Sequence, residues 1–488
     1  MFKNNLKIIF AATSEGYFSG PNNTLPWDPK KVPTDLSIFK YVTVGKGNNA
    51  IVMGRDTYLS IIKGRTIAHL KDRINIVISS TLYQEDYPDV IIVKSINEAI
   101  NKANEKKVDD IFFIGGRNII KEVITNYFPT QVYLNIISRK EGFNGDGLSK
   151  LHDDVYNVMF TKYTRPDVST HYDNHDGHSV TEYKYTLDKD FTEELKYLDL
   201  VNRVLTSGKK RTDRTGTGTL SLFAQSFEID VSERFPMLTT KRVFWKGVVE
   251  ELLFFISGSS DTKILENKGI NIWKGNTSRE FLDSRNLYHY REGEYGPSYG
   301  YQWRHFGKKY DDLKGQEQKD SLGTFKNEYQ GVDQLKNAIN LIKTDPTSRR
   351  ILVTAWNPEC LRIVPLPACH YVYQFYVEPE ERKLSILVNM RSCDVFLGLP
   401  FNIASYALLL YIVARICDLK PSKVTFMLGD THIYQNHVEQ CKEQLSRMPR
   451  RMPKLKIEEI KEIDDYTPED FVLEEYNPHP TIKAEMAV

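Results

Sequence analysis

No cysteine occurs before Cys360, and only five are present in all 488 residues: Cys360, Cys369, Cys393, Cys417 and Cys441. So odd and sparse a set excludes a disulfide framework. It fits a reducing, cytoplasmic setting, where a cysteine is either buried filler or a nucleophile. Charge of one sign is also lacking. Basic residues number 65 and acidic ones 64, leaving +1, which gives no general drive toward nucleic acid or an anionic membrane. Long apolar runs are missing too. The run 406–416 is shorter than the roughly 20 residues a bilayer-spanning helix needs and reads as a core helix. The run 6–12 is followed by Thr13-Ser14-Glu15-Gly16 and reads as a buried first strand, not a secretory signal. There is no internal repeat and no Gly/Ser- or Pro-rich linker.

What is present is an ordinary globular composition, 41% apolar and 26% charged, in a chain too long for one growing core. Short Ile/Val-rich stretches at 7–12, 50–53, 75–79, 90–93, 110–114 and 131–137 alternate with helical stretches such as 96–104 and 119–124. That pattern predicts an α/β domain with a mostly parallel sheet and flanking helices. Stretch 181–187, with Tyr183, Tyr185 and Leu187 on one face, reads as its final edge strand. A new helix then begins, capped by Asp190 or Thr192, with Leu195, Leu198, Val201 and Leu205 on one face and Gly208 ending it. The expected domains are 1–188 and 194–488, joined by a short junction at 189–193. The polar stretch 308–330 reads as a surface insertion.

In the first domain, Leu25-Pro26-Trp27 precedes Asp35 and Phe39, which are four apart and share a helix face. A lone carboxylate in apolar surroundings resists ionisation, which suits proton donation or cation pairing toward a flat heterocycle. Asp35 as a helix cap and Phe39 as core filler is the competing reading. Met53-Gly54-Arg55-Asp56-Thr57-Tyr58 and Ile114-Gly115-Gly116-Arg117 each read as a strand, a glycine and a helix start, a plausible phosphate site; each alone is equally well a turn.

In this order and spacing the segments resemble dihydrofolate reductase, over about residues 6 to 187. The resemblance implies NADPH-dependent reduction of dihydrofolate. Asp35 would bind the pterin and assist its protonation. Phe39, Arg73 and Ile114 would hold the rest of the folate, Arg73 through its α-carboxylate. Ala12, Gly20, Arg55, Thr57, Ser79, Gly115, Gly116 and Arg117 would line the NADPH site. The chain departs from the family pattern at Ser80, where an Arg for the 2′-phosphate is common, and at Asn135, where a Thr partner of the acid is usual. Ser19 replaces an apolar loop residue, and Asp35 lies two residues further from Trp27 than is common.

In the second domain Cys369-His370 follows the stiff Val364-Pro365-Leu366-Pro367. A cysteine attacks as its thiolate, which nearby cations favour. Arg214, Arg349, Arg350 and Arg391 are more cations than a thiolate needs and suit a phosphate monoester, although for any one of them a solvated surface role is the simpler reading. Long stretches here are similar to thymidylate synthase, from about 194 to 488: Leu238-Thr239-Thr240-Lys241-Arg242-Val243-Phe244-Trp245-Lys246-Gly247, Tyr301-Gln302-Trp303-Arg304-His305-Phe306-Gly307 and Pro400-Phe401-Asn402-Ile403-Ala404-Ser405-Tyr406. An α+β fold and reductive methylation of dUMP by 5,10-methylenetetrahydrofolate are implied. Cys369 would attack C6 of the uracil. Arg214, Arg391 and Ser392 would hold the phosphate, with Arg349 and Arg350 reaching the neighbouring subunit's phosphate in a homodimer. Asn402 would pair with the uracil, and His432 and Tyr434 with the ribose. Its side-chain amide can donate to O4 and accept from N3–H, which favours dUMP over dCMP. Glu251, Tyr299 and His370 would organise proton transfers. Trp273, Leu397 and Phe401 would contact folate, Asp394 would serve nucleotide and folate together, and Ala487-Val488 would close over the ligands. Departures are Ala368 for Pro, Phe254 for Trp and Met390 for Gln; the last is expected to lower turnover.

The synthase would release dihydrofolate and the reductase consume it, an arrangement similar to protozoan bifunctional enzymes. No metal, membrane or specific nucleic-acid partner is expected. Two other readings remain: a reductase half serving only as scaffold, and an additional RNA-binding role, to which the +1 net charge lends no support.

Overall fold

The computed structural model describes residues 6–63, 66–127, 129–143, 145–173, 177–213, 215–314 and 331–485. They form two compact units, Met1–Thr192 and Glu193–Val488.

In the first unit the Ile/Val-rich stretches become β1 (Leu6–Thr13), β3 (Ala50–Gly54), β4 (Ile74–Ile78), β5 (Ile91–Val93), β6 (Ile111–Gly115) and β7 (Gln131–Ser138). Branched residues fit a pleated surface covered on both sides. Ile51, Val52 and Met53 of β3 are accordingly 0% exposed. These strands pair in parallel within an eight-stranded sheet of order β5-β4-β3-β6-β1-β7-β10-β9, whose last two members are β9 (Asp167–Asp173) and β10 (His178–Thr186). Helices α1 (Pro33–Val44), α2 (Arg55–Ile62), α3 (Ile96–Glu105), α4 (Arg117–Asn126) and α5 (Asp153–Lys162) complete the layers, and the short β2 (Tyr17–Ser19) pairs with β8 (Ser149–Lys150). In α3 the cause is explicit: Ser95 caps the N–H of Glu98, and Ile96, Ala99, Ile100 and Ala103 form the buried face.

The stretch 181–187 is not the sheet edge. It belongs to β10, antiparallel to β7 on one side and to β9 on the other. Strand β9 (DVSTHYD) escaped sequence reading because its first six residues are exposed, so it carries little apolar alternation.

Helix α6 spans Lys189–Ser207. Its cap is Asp188, not Asp190 or Thr192: the Asp188 carboxylate accepts from the Asp190 N–H at 3.0 Å.

The second unit is built on β11 (Lys209–Arg211), β12 (Thr219–Asp230), β13 (Leu352–Thr354), β14 (His370–Glu378), β15 (Lys383–Asp394) and β16 (Lys420–Tyr434), in the sheet order β11-β12-β16-β15-β14-β13. Only the β15–β16 pairing is parallel among these neighbours. Helices α7 (Trp245–Ile256), α8 (Lys263–Glu266), α9 (Arg279–Ser284), α10 (Tyr299–His305), α11 (Gln334–Thr344), α12 (Gly398–Ile416) and α13 (Val438–Leu445) accompany it, with a small hairpin of β17 (Lys454–Ile457) and β18 (Phe471–Glu474). Helix α12 is apolar almost all round, as a fully buried helix must be. By length and composition it could cross a membrane, but 78% of its apolar window is buried within the protein. All five cysteines are free. Of the polar stretch 308–330, residues 315–330 lie outside the described residues.

Candidate active sites

In the first unit, Pro33 opens α1, where its fixed φ suits a helix start. Asp35 follows in the first turn and is only 5% exposed. One oxygen of its carboxylate accepts from the Asn135 side-chain amide on β7 at 2.8 Å. Asn135 thus occupies the place expected of a Thr and donates the same kind of bond. Burial pushes the Asp35 carboxyl up to about 6; the Asn135 bond opposes this, and the nearby Asp173 adds to it. Asp173, at the end of β9, accepts a hydrogen bond from the hydroxyl of Thr34. Phe39 is one turn beyond Asp35. The Arg73 guanidinium lies 5.8 Å from its ring centre and donates to the Thr43 hydroxyl at 2.7 Å. Acid and ring therefore share one helix, and the cation, from the segment just before β4, meets that helix at Phe39 and Thr43.

The same unit holds a cavity of about 730 Å³, bordered by Arg55, Thr57, Ser79, Ile114, Gly116 and Arg117 among other residues. It opens onto the starts of α2 and α4. Both helices begin after a glycine, with no side chain capping their first N–H groups. Uncapped N–H groups and the helix dipole suit the phosphates of a dinucleotide. Gly115 adopts φ +143°, and a Cβ there would meet the Thr57 hydroxyl at 3.1 Å; only glycine fits. These features match a nicotinamide dinucleotide. Ala12 and Gly20 do not border the cavity; their neighbours Ala11 and Ser19 do. Ala12 is 0% exposed and packed into the core instead. Sequence reading missed Thr81, Lys94 and Asn118 on the same wall, and took Ser80 only as a departure from the family pattern. Their position just after parallel strands or at a helix start was the available signal.

In the second unit, Cys369 is half-buried immediately before β14. Its N–H donates to the Tyr299 hydroxyl at 2.7 Å. Arg391 on β15 donates its own backbone N–H to the Cys369 carbonyl at 2.9 Å, and its guanidinium reaches the sulfur at 3.8 Å. Two further bonds, to the carbonyls of Pro367 and Ala368, fix that guanidinium. Ser392 and Asp394 follow on β15. Asp394 accepts from the N–H groups of Phe396 and Leu397 at 3.0 and 3.1 Å, which holds the turn into α12 and hence Phe401 and Asn402. His432 and Tyr434 lie on β16, with ring centres 5.1 Å apart.

Behind the cysteine is an aromatic wall. The His370 ring is 4.2 Å from that of Tyr299, and its Nδ1 is 2.7 Å from the Tyr406 hydroxyl. Trp273 and Tyr299 both pack on Tyr295, at 4.5 and 6.1 Å. Burial pushes His370 down to about 3, so its ring is neutral. Burial also pushes Glu251 on α7 up to about 7. Tyr295 and Tyr406 were not among the sequence candidates, because their contacts come from segments distant in the chain. Met390 stands opposite His370 in the β14–β15 register and is 3% exposed.

Arg349 and Arg350 are exposed in the loop before β13. Leu352 pairs with Gln374, so Arg350 lies level with Tyr376, about 20 Å along β14 from His370 at strand spacing. They are not brought to their own chain's cysteine. Arg214, Ala487 and Val488 lie outside the described residues.

Comparison with known proteins gives two family matches: dihydrofolate reductase over residues 5–179 and thymidylate synthase over 195–488. A bifunctional dihydrofolate reductase-thymidylate synthase of Paramecium tetraurelia is 39% identical over 481 residues, covering 99% of this chain and 98% of that protein. The corresponding protein of Zea mays is 38% identical, covering 99% and 97%. The thymidylate synthase of Homo sapiens is 52% identical over 296 residues, which are 60% of this chain and 91% of that enzyme.

Proposed function

The chain belongs to the bifunctional dihydrofolate reductase–thymidylate synthase family, and from that premise we propose which of its residues carry the two reactions. The protein methylates dUMP to dTMP with 5,10-methylenetetrahydrofolate and reduces the dihydrofolate so formed with NADPH.

The synthase assignment rests on the arrangement around Cys369. The Arg391 guanidinium beside its sulfur favours the thiolate. That sulfur adds to C6 of the uracil, and the electron pair released makes C5 a nucleophile toward the one-carbon unit. Later the C–S bond breaks and the sulfur leaves. Arg391, with Arg214 and Ser392, holds the phosphate; Asn402 pairs with the uracil edge and His432 and Tyr434 with the ribose. A neutral His370 cannot supply a positive charge, so its part is to orient Tyr406 and ordered water. Glu251, poised near 7, is the group able to hold and release a proton at C5 and O4. Trp273, Leu397, Phe401 and Asp394 form the folate wall.

In the first unit Asp35 holds the pterin edge and raises its readiness to accept a proton. Phe39, Arg73 and Ile114 seat the remainder of the folate. NADPH supplies the hydride; Arg55, Thr57, Ser79, Gly115, Gly116 and Arg117 hold its phosphates and ribose. The scaffold reading is set aside: family match and a bonded, buried Asp35 both speak for activity.

A homodimer is supported by Arg349 and Arg350, which are exposed and far from their own Cys369, and by Leu352, Tyr376 and Met427, which are 41%, 66% and 47% exposed on one face of the sheet. Burying such a face against a second copy is the expected remedy. The five free cysteines support a cytoplasmic location. In the test, 5-fluoro-dUMP plus methylenetetrahydrofolate forms a covalent adduct on Cys369, and dUMP-dependent NADPH oxidation requires both Cys369 and Asp35. An intact reductase without any adduct overturns the synthase roles. Mixing inactive Cys369→Ala with inactive Arg349→Ala restores activity only if arginines cross between subunits.

A further inference from the structure

Strand β4 reads Ile74-Asn75-Ile76-Val77-Ile78, and its one polar residue is buried: Asn75 is 4% exposed. A buried amide must find partners or destabilise the fold. Asn75 finds three, all on the backbone of the turn that leads into β4. Its side-chain amide nitrogen donates to the carbonyls of Leu70 and Arg73, each at 2.8 Å, and its side-chain oxygen accepts from the Leu70 N–H at 2.9 Å. Two amide hydrogens face two carbonyls and the oxygen faces an N–H. Reversing the amide would set oxygen against carbonyl, and no other side chain of this length carries both donors and the acceptor.

The turn so clamped is not one the chain would hold by itself. Asp72 is exposed and has φ +64°, in the left-handed region that residues with a Cβ disfavour. Such a conformation persists only where the surroundings over-determine it. Here the bonds from Asn75 fall on both sides of Asp72, and Leu70 packs against the same core as Phe39. Further back, the Tyr58 hydroxyl donates to the Ala68 carbonyl at 2.9 Å. Arg73 directly follows Asp72. Its Nε donates to the Lys71 carbonyl at 2.9 Å, inside the same turn, and its guanidinium reaches the Phe39 ring and the Thr43 hydroxyl. The direction of the Arg73 side chain thus depends on the conformation of residues 70–73, and Asn75 holds that conformation from both ends.

We propose that Asn75 is a positioning residue for dihydrofolate, which acts by aiming Arg73 at the α-carboxylate of the substrate. A guanidinium fork gains most from a carboxylate when its N–H groups are already aligned with it. Releasing the turn leaves the charge nearby but spreads its directions, so the lost affinity falls on the glutamate end of the substrate alone. The inference rests on the folate-tail role given to Arg73 above.

The test compares two substrates on the full-length chain at saturating NADPH: dihydrofolate, and a dihydropterin with a methyl group in place of the aminobenzoylglutamate. Asn75→Ala should raise KM for dihydrofolate at least about tenfold, equivalent to about 1.4 kcal/mol, with kcat, the KM for NADPH and kcat/KM for the methyl dihydropterin all within about twofold. Added to Arg73→Leu, Asn75→Ala should cause no further loss, because the two act in series. Asp72 gives access to the same turn from the surface, should Asn75→Ala not fold. Asp72→Val, whose branched side chain resists positive φ, should raise the dihydrofolate KM selectively, and Asp72→Gly should leave it unchanged. An equal loss on both substrates, a full additional loss in the double variant, or an Asp72→Val that matches the wild type overturns the assignment while leaving the role of Arg73 intact. An Arg73→Leu that does not separate the two substrates overturns that role and this inference together.

Discussion

Asp35→Asn should make the first unit more stable and nearly inactive at once, and the two effects come from one cause. Burial places the folded-state Asp35 carboxyl at about 6 against an ordinary value of 3.8. A carboxyl raised on folding binds its proton more tightly in the folded chain. Stability from this source is complete below 3.8, is lost progressively as pH rises through about 6, and is absent at neutrality. The gap between 3.8 and about 6 corresponds to about 3 kcal/mol of destabilisation at pH 7. Asparagine has the same shape and no charge to desolvate, and its carbonyl can still accept from Asn135. Relief of up to about 3 kcal/mol would lift the melting transition of this unit by roughly 5 °C or more.

Activity moves the other way. Without the acid, reduction of dihydrofolate at neutral pH should fall by about a hundredfold to ten-thousandfold, the usual worth of a positioned proton donor. Calorimetry on the full chain and single-turnover NADPH oxidation measure the two quantities on the same preparation. In the wild type the hydride-transfer rate should decline as pH rises through about 6, because the protonated carboxyl is the useful one; the variant should be flat. A variant that is less stable than the wild type, or one that keeps the pH limb, refutes the reasoning.

Three further outcomes follow from the same geometry. Asp173 raises the proton affinity of Asp35, so Asp173→Asn should move the reductase pH limb to lower pH, read by the same single-turnover assay, with Thr34 still bonded. For the synthase, a limb near 7 should vanish in Glu251→Gln, whose turnover falls about a hundredfold or more, while no limb from His370 appears at physiological pH because its ring is already neutral. Met390→Gln places a hydrogen-bonding side chain opposite His370; dUMP turnover should rise severalfold with reductase activity unchanged, and an unchanged kcat and KM for dUMP would remove the concern about Met390.

Much of the fold was legible where one physical rule dominates. Buried parallel strands need Ile and Val on both faces, so β1, β3, β4, β6 and β7 stood out within a residue or two. Strand β9 did not, because an exposed edge strand places no demand on apolar residues. The cap at Asp188 was misplaced by a short distance because Asp188 and Asp190 are equally good cappers, and only the backbone decides. In the sites, the neighbourhoods of Cys369, Arg391 and Asp35 could be singled out from the sequence, because a cysteine after a stiff proline stretch, more arginines than a thiolate needs and a carboxylate in apolar surroundings each leave a pattern. Tyr295, Tyr406 and Asp173 were not: their significance lies in contacts between distant segments, which no local spacing encodes. Lys94 was hidden differently. A lysine after a strand is usually solvated, and only the parallel pairing of β4 with β5 puts it on the cavity wall.

Burial shifts the proton affinity of buried groups in both candidate sites, and it works in opposite directions on acids and bases. Removing water disfavours whichever form is charged. It therefore lifts Asp35 to about 6 and Glu251 to about 7, into the range where a carboxyl can lend a proton, and drops His370 to about 3, where an imidazole no longer competes for one. In the synthase unit this bears on a choice that residue types leave open. With a histidine adjacent to the nucleophile, a Cys–His pair sharing a proton would be the obvious arrangement. A ring bonded to Tyr406 and packed against Tyr299 in the dry interior cannot serve that way, whereas the Arg391 guanidinium, fixed by two backbone carbonyls, needs no proton transfer to favour the thiolate. On the roles proposed above, the cation does the activating and the carboxyl is left free to move protons on the uracil.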